Sequence, residues 1–472
     1  MIVLMLACAP APTPPNLVLI SIDGLRADRT GIGGNPNAPT PNLDRLAREG
    51  TWFSQAFSQS NESLFSHAAL LTGRYVSELA VPDYRTFLLP DDALLISELL
   101  GLYGYSTAAF VAGGHIRAGY GFDQGSSVFD DTHDFGTFFH KTPQALEWVR
   151  ERAREPFFLI LHGYDCHRPY PHAGPWFHAY GGDYTGNVDA LLSDRRSTER
   201  VYDGVYYPDF PLEDFFHTAG DPILDPAGYQ RIIDWKSPQG VPLSEADIEH
   251  LRDHYDGGIL AADLQIGRFL SELEQTGQLE NTVVILTSDH GEDLHDHGFF
   301  NHRATLRGST TQVPLIIWGA GFGGRQDELA EAIDVVPTLL GLAGVIAPAG
   351  LSGRDLLAGE PAPEIIFQEG VLGHVSARTL THRLLFSGFP LTFPYYDLAL
   401  ESATLESGHL ALYDLEADPD EQHNIIAEQP EVAEALRSAL LGWRQGMKQS
   451  DFRGEQPTDA ALKELLRSRG YW

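Results

Sequence analysis

Apolar residues along this chain gather in short unbroken runs separated by amphipathic stretches. Asn16-Leu-Val-Leu-Ile-Ser-Ile22 is such a run. It is too short for a buried helix and too continuous for a half-exposed strand, so it predicts a strand covered on both faces, as in a parallel sheet. The pattern returns at Phe157–Leu161, Thr282–Leu286 and Val313–Ile317. Between the runs lie helical periods at Pro41–Glu49, Asp91–Leu100, Pro143–Arg154 and Glu249–Glu274. The last carries Leu251, Tyr255, Ile259, Ala262, Ile266, Phe269 and Leu270 on one stripe, the mark of a helix packed on a core. Strands alternating with helices predict an α/β fold with helices on both faces of the sheet.

The texture changes after about Ala347. Glu364–Phe367, Thr379–Ser387 and His409–Leu415 read as short strands, and Pro430–Met447 as a terminal helix. The chain is therefore expected to divide into a leader and Pro-rich spacer (1–15), a catalytic domain (16–347) and a C-terminal α+β subdomain (348–472). His172–Pro242 is rich in Tyr, Trp, Phe, Asp and Gly without a clear period. It reads as an elaborated loop region, the kind that shapes substrate pockets.

Composition narrows the picture. The formal net charge is −33, a field that repels nucleic acid and anionic membranes, so no nucleic-acid partner is expected. The same field repels an anionic ester at long range, so any anion site has to be built locally. Cys8 and Cys166 are the two cysteines, too few and too far apart for a disulfide framework. The run Met1-Ile-Val-Leu-Met-Leu-Ala-Cys8 followed by Ala9-Pro-Ala-Pro-Thr-Pro-Pro15 looks like the tail of a lipoprotein signal. It predicts export, to the periplasm or onto a membrane, with a lipid anchor at Cys8; it lacks the usual basic start.

Ligands of open α/β sheets bind beyond the carboxyl ends of the strands. Asp23 follows the first run; His162, Asp165 and His167 follow the second; Asp289 and His290 follow the third. One Asp after a strand is often only a helix cap, but three coinciding sets point to a shared site. Two carboxylates and an imidazole suit a divalent metal. Ser63, in Asn61-Glu-Ser-Leu-Phe-Ser-His67, precedes a helical stretch read from Ser66 to Leu71 and could complete the site. The plainer reading makes Ser63 or Ser66 an N-cap. Cys166 reads as a packing residue, and His295 as a structural one.

Several segments, in order, resemble the sulfatase family of the alkaline-phosphatase superfamily. They are Asn16-Leu-Val-Leu-Ile-Ser-Ile-Asp-Gly-Leu-Arg-Ala-Asp28, Thr40-Pro-Asn-Leu-Asp-Arg-Leu-Ala-Arg-Glu-Gly50, His67-Ala-Ala-Leu-Leu-Thr-Gly-Arg74, Asp165-Cys-His-Arg-Pro-Tyr170, Thr287-Ser-Asp-His-Gly-Glu292 with Asp296-His-Gly298, and Leu412-Tyr-Asp-Leu-Glu-Ala-Asp-Pro-Asp-Glu-Gln-His-Asn424. The resemblance implies a three-layer αβα sandwich around a large mixed, mainly parallel sheet, with a small C-terminal subdomain. It implies a sulfuric ester hydrolase acting on a small-molecule, glycan or lipid ester. It implies one divalent metal ion, calcium in the family, with Asp23, Ser63, Asp289 and His290 as metal positions. Ser63 falls at the nucleophile, where the family oxidises a Cys or Ser to formylglycine. His67 lies in the nucleophile signature, His115 near the family's K-W-H histidine, His167 at the contact to the ester's anionic head, and His302 near the leaving group.

The departures are informative. The signature C/S-x-P-x-R reads Ser63-Leu-Phe-Ser-His67, with Phe65 for Pro and His67 for Arg, which argues against conversion of Ser63 to formylglycine. Gly24 stands where the family has a second Asp, and Gly113-Gly114 precede His115 in place of a lysine. An unmodified serine would form a covalent ester that water has to displace, easier at phosphorus than at sulfur. Hydrolysis of phosphodiesters or phosphonates, or phosphoryl transfer, is therefore the alternative to sulfuric ester hydrolysis; a non-catalytic binding protein on the same scaffold is a third reading. A histidine ligand also admits manganese or zinc.

Overall fold

The computed structural model describes residues 14–38, 40–79, 87–152, 155–168, 170, 184–186, 188, 201–202, 205–206, 241–303, 305–321, 323–370, 374–387 and 409–449. The leader with Cys8, and most of His172–Pro242, lie outside the described residues. No helix among the described residues is long and apolar enough to cross a membrane.

In chain order the elements are β1 (Asn16–Ile22), α1 (Pro41–Glu49), β2 (Thr51–Phe57), α2 (Ser63–Thr72), α3 (Ile96–Leu102), β3 (Ser106–Phe110), β4 (Val128–Asp130), α4 (Phe138–Arg150) and β5 (Phe157–Gly163). Three two-residue strands follow, β6 (Val201–Tyr202), β7 (Val205–Tyr206) and β8 (Val241–Pro242), then α5 (Glu245–Gln275), β9 (Thr282–Thr287), β10 (Asp293–Leu294), β11 (Phe300–Asn301), α6 (Gly308–Thr311), β12 (Leu315–Trp318), β13 (Gly324–Glu331) and α7 (Val335–Leu342). The C-terminal unit holds β14 (Ile366–Glu369), β15 (Val375–Arg378), β16 (His382–Ser387), β17 (His409–Asp414) and α8 (Pro430–Gln449).

Eight strands form the main sheet in the order β13-β2-β12-β9-β1-β5-β3-β4. β1 pairs in parallel with β5 and β9 on either side. β12 runs antiparallel to both of its neighbours, so the sheet is mixed but mainly parallel. The run at Val313–Ile317 is thus a strand as expected, although not a parallel one. Alternation along β1 builds the three layers. Leu17 and Leu19 face α2, α3 and α7, whereas Val18, Ile20 and Ile22 face α1, α4 and α5. Because side chains alternate, Ser21 and His162 share the face of α2, which matters for the site.

Four helix starts differ from the sequence reading: α3 begins at Ile96 rather than Asp91 and α5 at Glu245 rather than Glu249, and the other two are more instructive. α4 begins at Phe138 behind Thr137, with Pro143 inside the helix; proline's preference for the first turn pointed to a later start. α2 begins at Ser63, not Ser66, and ends on Gly73 at φ 69, whose N–H reaches Ala69 O, a left-handed cap that glycine takes without strain. The C-terminal unit is an antiparallel sheet, β14-β15-β16-β17, with α8 on one face.

Where β13 ends, Glu331 is buried beside Asp334. Its Oε1 accepts from Tyr75 Oη at 2.8 Å and Gln59 Nε2 at 3.0 Å. Burial, then the Asp334 charge, push the Glu331 carboxyl up to about 8; burial lifts Asp334 to about 6. Both folded-state values lie above the ordinary carboxyl range, so the folded state holds more protons and stability falls as pH rises between about 5 and 8. The contribution is full below the unfolded value and lost as pH passes the folded one. Glu331→Gln is expected to flatten this slope in melting scans, so that the variant matches or exceeds wild type at pH 9 by up to a few kcal/mol, at about 1.36 kcal/mol per pK unit. Parallel melting curves for the two proteins across this range would refute it.

Candidate active site

β9, β1 and β5 lie side by side and run in one direction, so their carboxyl ends form a row. β1 delivers Asp23, β5 delivers His162, and the turn after β9 delivers Asp289 and His290. The start of α2 brings Ser63 to the same row. Ser63 Oγ donates to Asp23 Oδ2 at 3.0 Å and lies 3.2 Å from His290 Nε2. His290 Nδ1 is 2.7 Å from the Gly291 carbonyl, which only accepts; the proton therefore sits on Nδ1 and the Nε2 lone pair faces the carboxylates. Nε2 is 3.4 Å from Asp289 Oδ2 and 3.9 Å from Asp23 Oδ1.

Both carboxylates reserve one oxygen. Asp289 Oδ1 accepts from the N–H groups of Gly24 at 3.0 Å and His290 at 2.9 Å. Asp289 Oδ2 and Asp23 Oδ1 are buried without a hydrogen-bond partner. One ligand atom each from Asp23, Asp289 and His290 lie within 4.8 Å of one another. Burial and the Asp289 charge push Asp23 well above the usual carboxyl range. Asp289 is pushed up by burial yet held below its ordinary value by His290, His67 and His162. Two buried carboxylates with orphaned oxygens and one imidazole lone pair fit a divalent cation, which would remove the cost of ionising both. Gly24 sits at φ 74, and its N–H orients Asp289.

The remaining expected residues surround Ser63 unequally. His67 lies behind it: Nδ1 is 2.8 Å from Ser63 O, Nε2 is 3.0 Å from Ser21 Oγ, and Nδ1 is 3.5 Å from Asp289 Oδ2. With both nitrogens engaged inside the protein, His67 holds the Ser63 turn. His302 Nδ1 lies 3.1 Å from Glu292 Oε2 and 2.8 Å from Arg168 Nη1. His167 Nδ1 is 2.6 Å from Arg168 O. His115 Nδ1 is 2.9 Å from Glu62 Oε1, and its side chain is 22% exposed, far more than the other imidazoles here. A chain of ring contacts runs His67–His162–Tyr164–His167–His302–His290, with centroids 5.0, 4.8, 5.3, 5.3 and 4.1 Å apart. Its two ends both touch Ser63. Burial, the largest cause in each case, pushes His67, His162, His167 and His302 below the ordinary imidazole value. These buried rings are therefore neutral at neutral pH.

Glu62, Arg303 and Arg168 escaped sequence reasoning. Glu62 is the N-cap of α2: its Oε2 takes the Leu64 N–H at 2.8 Å and its Oε1 lies 3.1 Å from Arg303 Nη2. Neither Ser63 nor Ser66 caps the helix; Ser66 Oγ turns back to Ser60 O. No spacing rule marks Glu62 or Arg303. His162 was visible as the residue after a buried run, and its place on the face of α2 would follow from alternation alone. Asp165, by contrast, accepts the Phe138 N–H at 2.9 Å and serves the start of α4. Cys166 is buried, which pushes its thiol well up, and it packs. His297 sits between Asp293 and the Asp420 carbonyl, 2.9 Å from Nε2, tying the second turn to the C-terminal unit.

Fold and site define an α/β ester hydrolase with a polar site at the strand ends. The sulfatase family model matches residues 15–345, and the chain belongs to the sulfatase family. It is 28% identical to the multifunctional alkaline phosphatase superfamily protein PehA of Trinickia caryophylli, over 73% of this chain and 77% of that one. It is 27% identical to an arylsulfatase of Clostridium perfringens, over 92% and 95%. Among solved structures, one in complex with its substrate D-glucosamine-2-N,6-O-disulfate superposes with a TM-score of 0.70 at 22% identity, covering 94% of this chain and 100% of that one. The phosphonate monoester hydrolase of Agrobacterium radiobacter gives 0.67 at 19%, covering 92% and 96%.

Proposed function

We propose that this protein hydrolyses sulfuric esters of small molecules or glycans, with Ser63 as nucleophile and a single divalent ion held by Asp23, Asp289 and His290. The observation that carries this reading is the place of Ser63 Oγ, 3.0 Å from Asp23 Oδ2 and 3.2 Å from His290 Nε2. A bound ion would supply positive charge beside Oγ, favouring the alkoxide and the developing charge on the ester. Asp23 Oδ2 already accepts the hydroxyl hydrogen bond and orients Oγ. The backbone carbonyl of Ser63, held by His67 Nδ1, fixes the direction of attack. Arg168 supplies the donors for the ester's oxygens, its guanidinium set beside His302 Nδ1 at 2.8 Å and its backbone carbonyl held by His167 Nδ1 at 2.6 Å. His115 stands nearest to solvent and is the candidate to protonate the leaving oxygen, with Glu62 positioning its ring.

A second reading has its own support. The arginine of the nucleophile signature is replaced by His67, both of whose nitrogens are engaged inside the protein, and Phe65 replaces the proline. With Ser63 left as a hydroxyl, a phosphonate or phosphate ester becomes the better substrate. Mass spectrometry of the Ser63 peptide, with a panel of aryl sulfate, phosphate and phosphonate esters, separates the two. Fastest turnover of the sulfate ester is expected for the first. An intact serine with fastest turnover of a phosphorus ester would replace it by the second.

A further inference from the structure

The C-terminal sheet has two faces. One packs Val375, Ala377, Leu384, Phe386 and Leu412 against α8. The other presses on the catalytic domain, and its charge is unusual. Arg378 of β15 pairs directly with Arg383 of β16, and Arg383 with Tyr413 of β17. Paired residues of antiparallel strands project to the same face about 5 Å apart, and like charges so placed repel. Arg383 is fully buried and Arg378 is 5% exposed. Arg307, also buried, lies over the Tyr413 ring at 5.2 Å with Nη2 2.8 Å from its hydroxyl.

Against these three guanidinium groups the described residues set one carboxylate. Glu421 Oε1 lies 3.0 Å from Arg383 Nε, and its Oε2 also takes the Gly308 N–H. The other partners are neutral: Thr311 Oγ1 and Gln368 Oε1, each 3.2 Å from Arg383 Nη1, and Gln55 Oε1, 3.2 Å from Arg378 Nη2. The Phe57 ring lies 4.1 Å from the Arg378 guanidinium. Arg383 Nη2, Arg378 Nε, Arg307 Nε and Ser376 Oγ are buried and make no hydrogen bond; Ser376 precedes Arg378 by two residues, on the same face. Arginine does not shed its proton in proteins, although burial, then Arg383, press Arg378 down to about 9. Buried charge without a counter-charge is strongly unfavourable.

We propose that this junction is a binding site for a small inorganic anion of halide size, held between Arg378 and Arg383 with Arg307 and Ser376 beside them. The donors come from β15, β16 and the loop before α6, so one ion would join the C-terminal unit to the catalytic domain. Full burial favours a compact monovalent ion over a bulky oxyanion. In a chain of net charge −33, the long-range field does not attract anions; the site is local. The inference stands apart from the chemistry at Ser63.

Wild-type crystals soaked in sodium bromide and measured at the bromine edge are expected to show an anomalous peak within hydrogen-bond reach of Arg378 and Arg383. Protein exchanged into gluconate at fixed ionic strength is expected to gain several degrees in Tm, saturably, as chloride replaces gluconate. Arg383→Gln and, separately, Arg378→Gln are expected to lose that gain. No bromine peak at the pair, or a gain unchanged in both variants, overturns the proposal; the peak is read on wild type and decides the matter even if the variants fold poorly.

Discussion

Ser63→Ala is expected to lower kcat by roughly 10⁶-fold, the scale seen when a serine nucleophile is removed, with little change in Tm. The Ser63 hydroxyl stands between Asp23 Oδ2 and His290 Nε2. Without it, the remaining donors can bind an ester but cannot form the covalent intermediate. Stability should survive because Glu62, not Ser63, caps α2, and His67 still holds the Ser63 backbone carbonyl, which alanine retains. Steady-state kinetics on the best aryl ester, with a melting curve beside it, read both halves. Near wild-type turnover would remove Ser63 from the nucleophile role and favour attack by water.

The second large effect concerns the cation. Chelator is expected to lower the Tm of wild type, and calcium or manganese to restore it; an ion present at 100 times its Kd contributes about 2.7 kcal/mol. Asp289→Asn is expected to abolish that response and the activity together. The sign in the absence of metal is more discriminating. The fold holds Asp289 below its ordinary value, so its ionised form is favoured there and the chelated variant should melt at or below chelated wild type. A variant that still responds to the ion, or wild type indifferent to chelator, would show that these three residues hold no metal.

The central strands were legible because burial on both faces leaves an unbroken apolar word. β1 at Asn16–Ile22 and α1 at Pro41–Glu49 match the reading residue for residue. β2 and β13 were not read. Thr51–Phe57 mixes Trp, Ser and Gln with its apolar residues, and Gly324–Glu331 is a polar edge strand, exposed along its first half; neither shows the period of a half-buried strand. At the site, residues next to a readable strand end, Asp23, Asp289 and His290, could be found from the chain. Those placed by tertiary contact, Glu62, Arg303 and Arg168, could not, since nothing local distinguishes them from surface charges. His67 lies beside Ser63, but that it points inward depends on Ser21, a pairing visible only once the sheet is assembled.

The position of β1 also sets a timetable. Of the described strands it leaves the ribosome before the others, yet it lies inside the sheet, between β5 and β9. Its β9 partner, Thr282–Thr287, is specified far downstream. At about 5–20 residues per second, that edge of Asn16–Ile22 waits roughly ten seconds to a minute for its partner. During that interval an apolar strand with open hydrogen-bonding groups is available to chaperones, to a translocation channel or to another nascent chain. Asp23 and Ser63 emerge within the same early stretch, so the site around Ser63 can close only after the turn bearing Asp289 and His290 has been made.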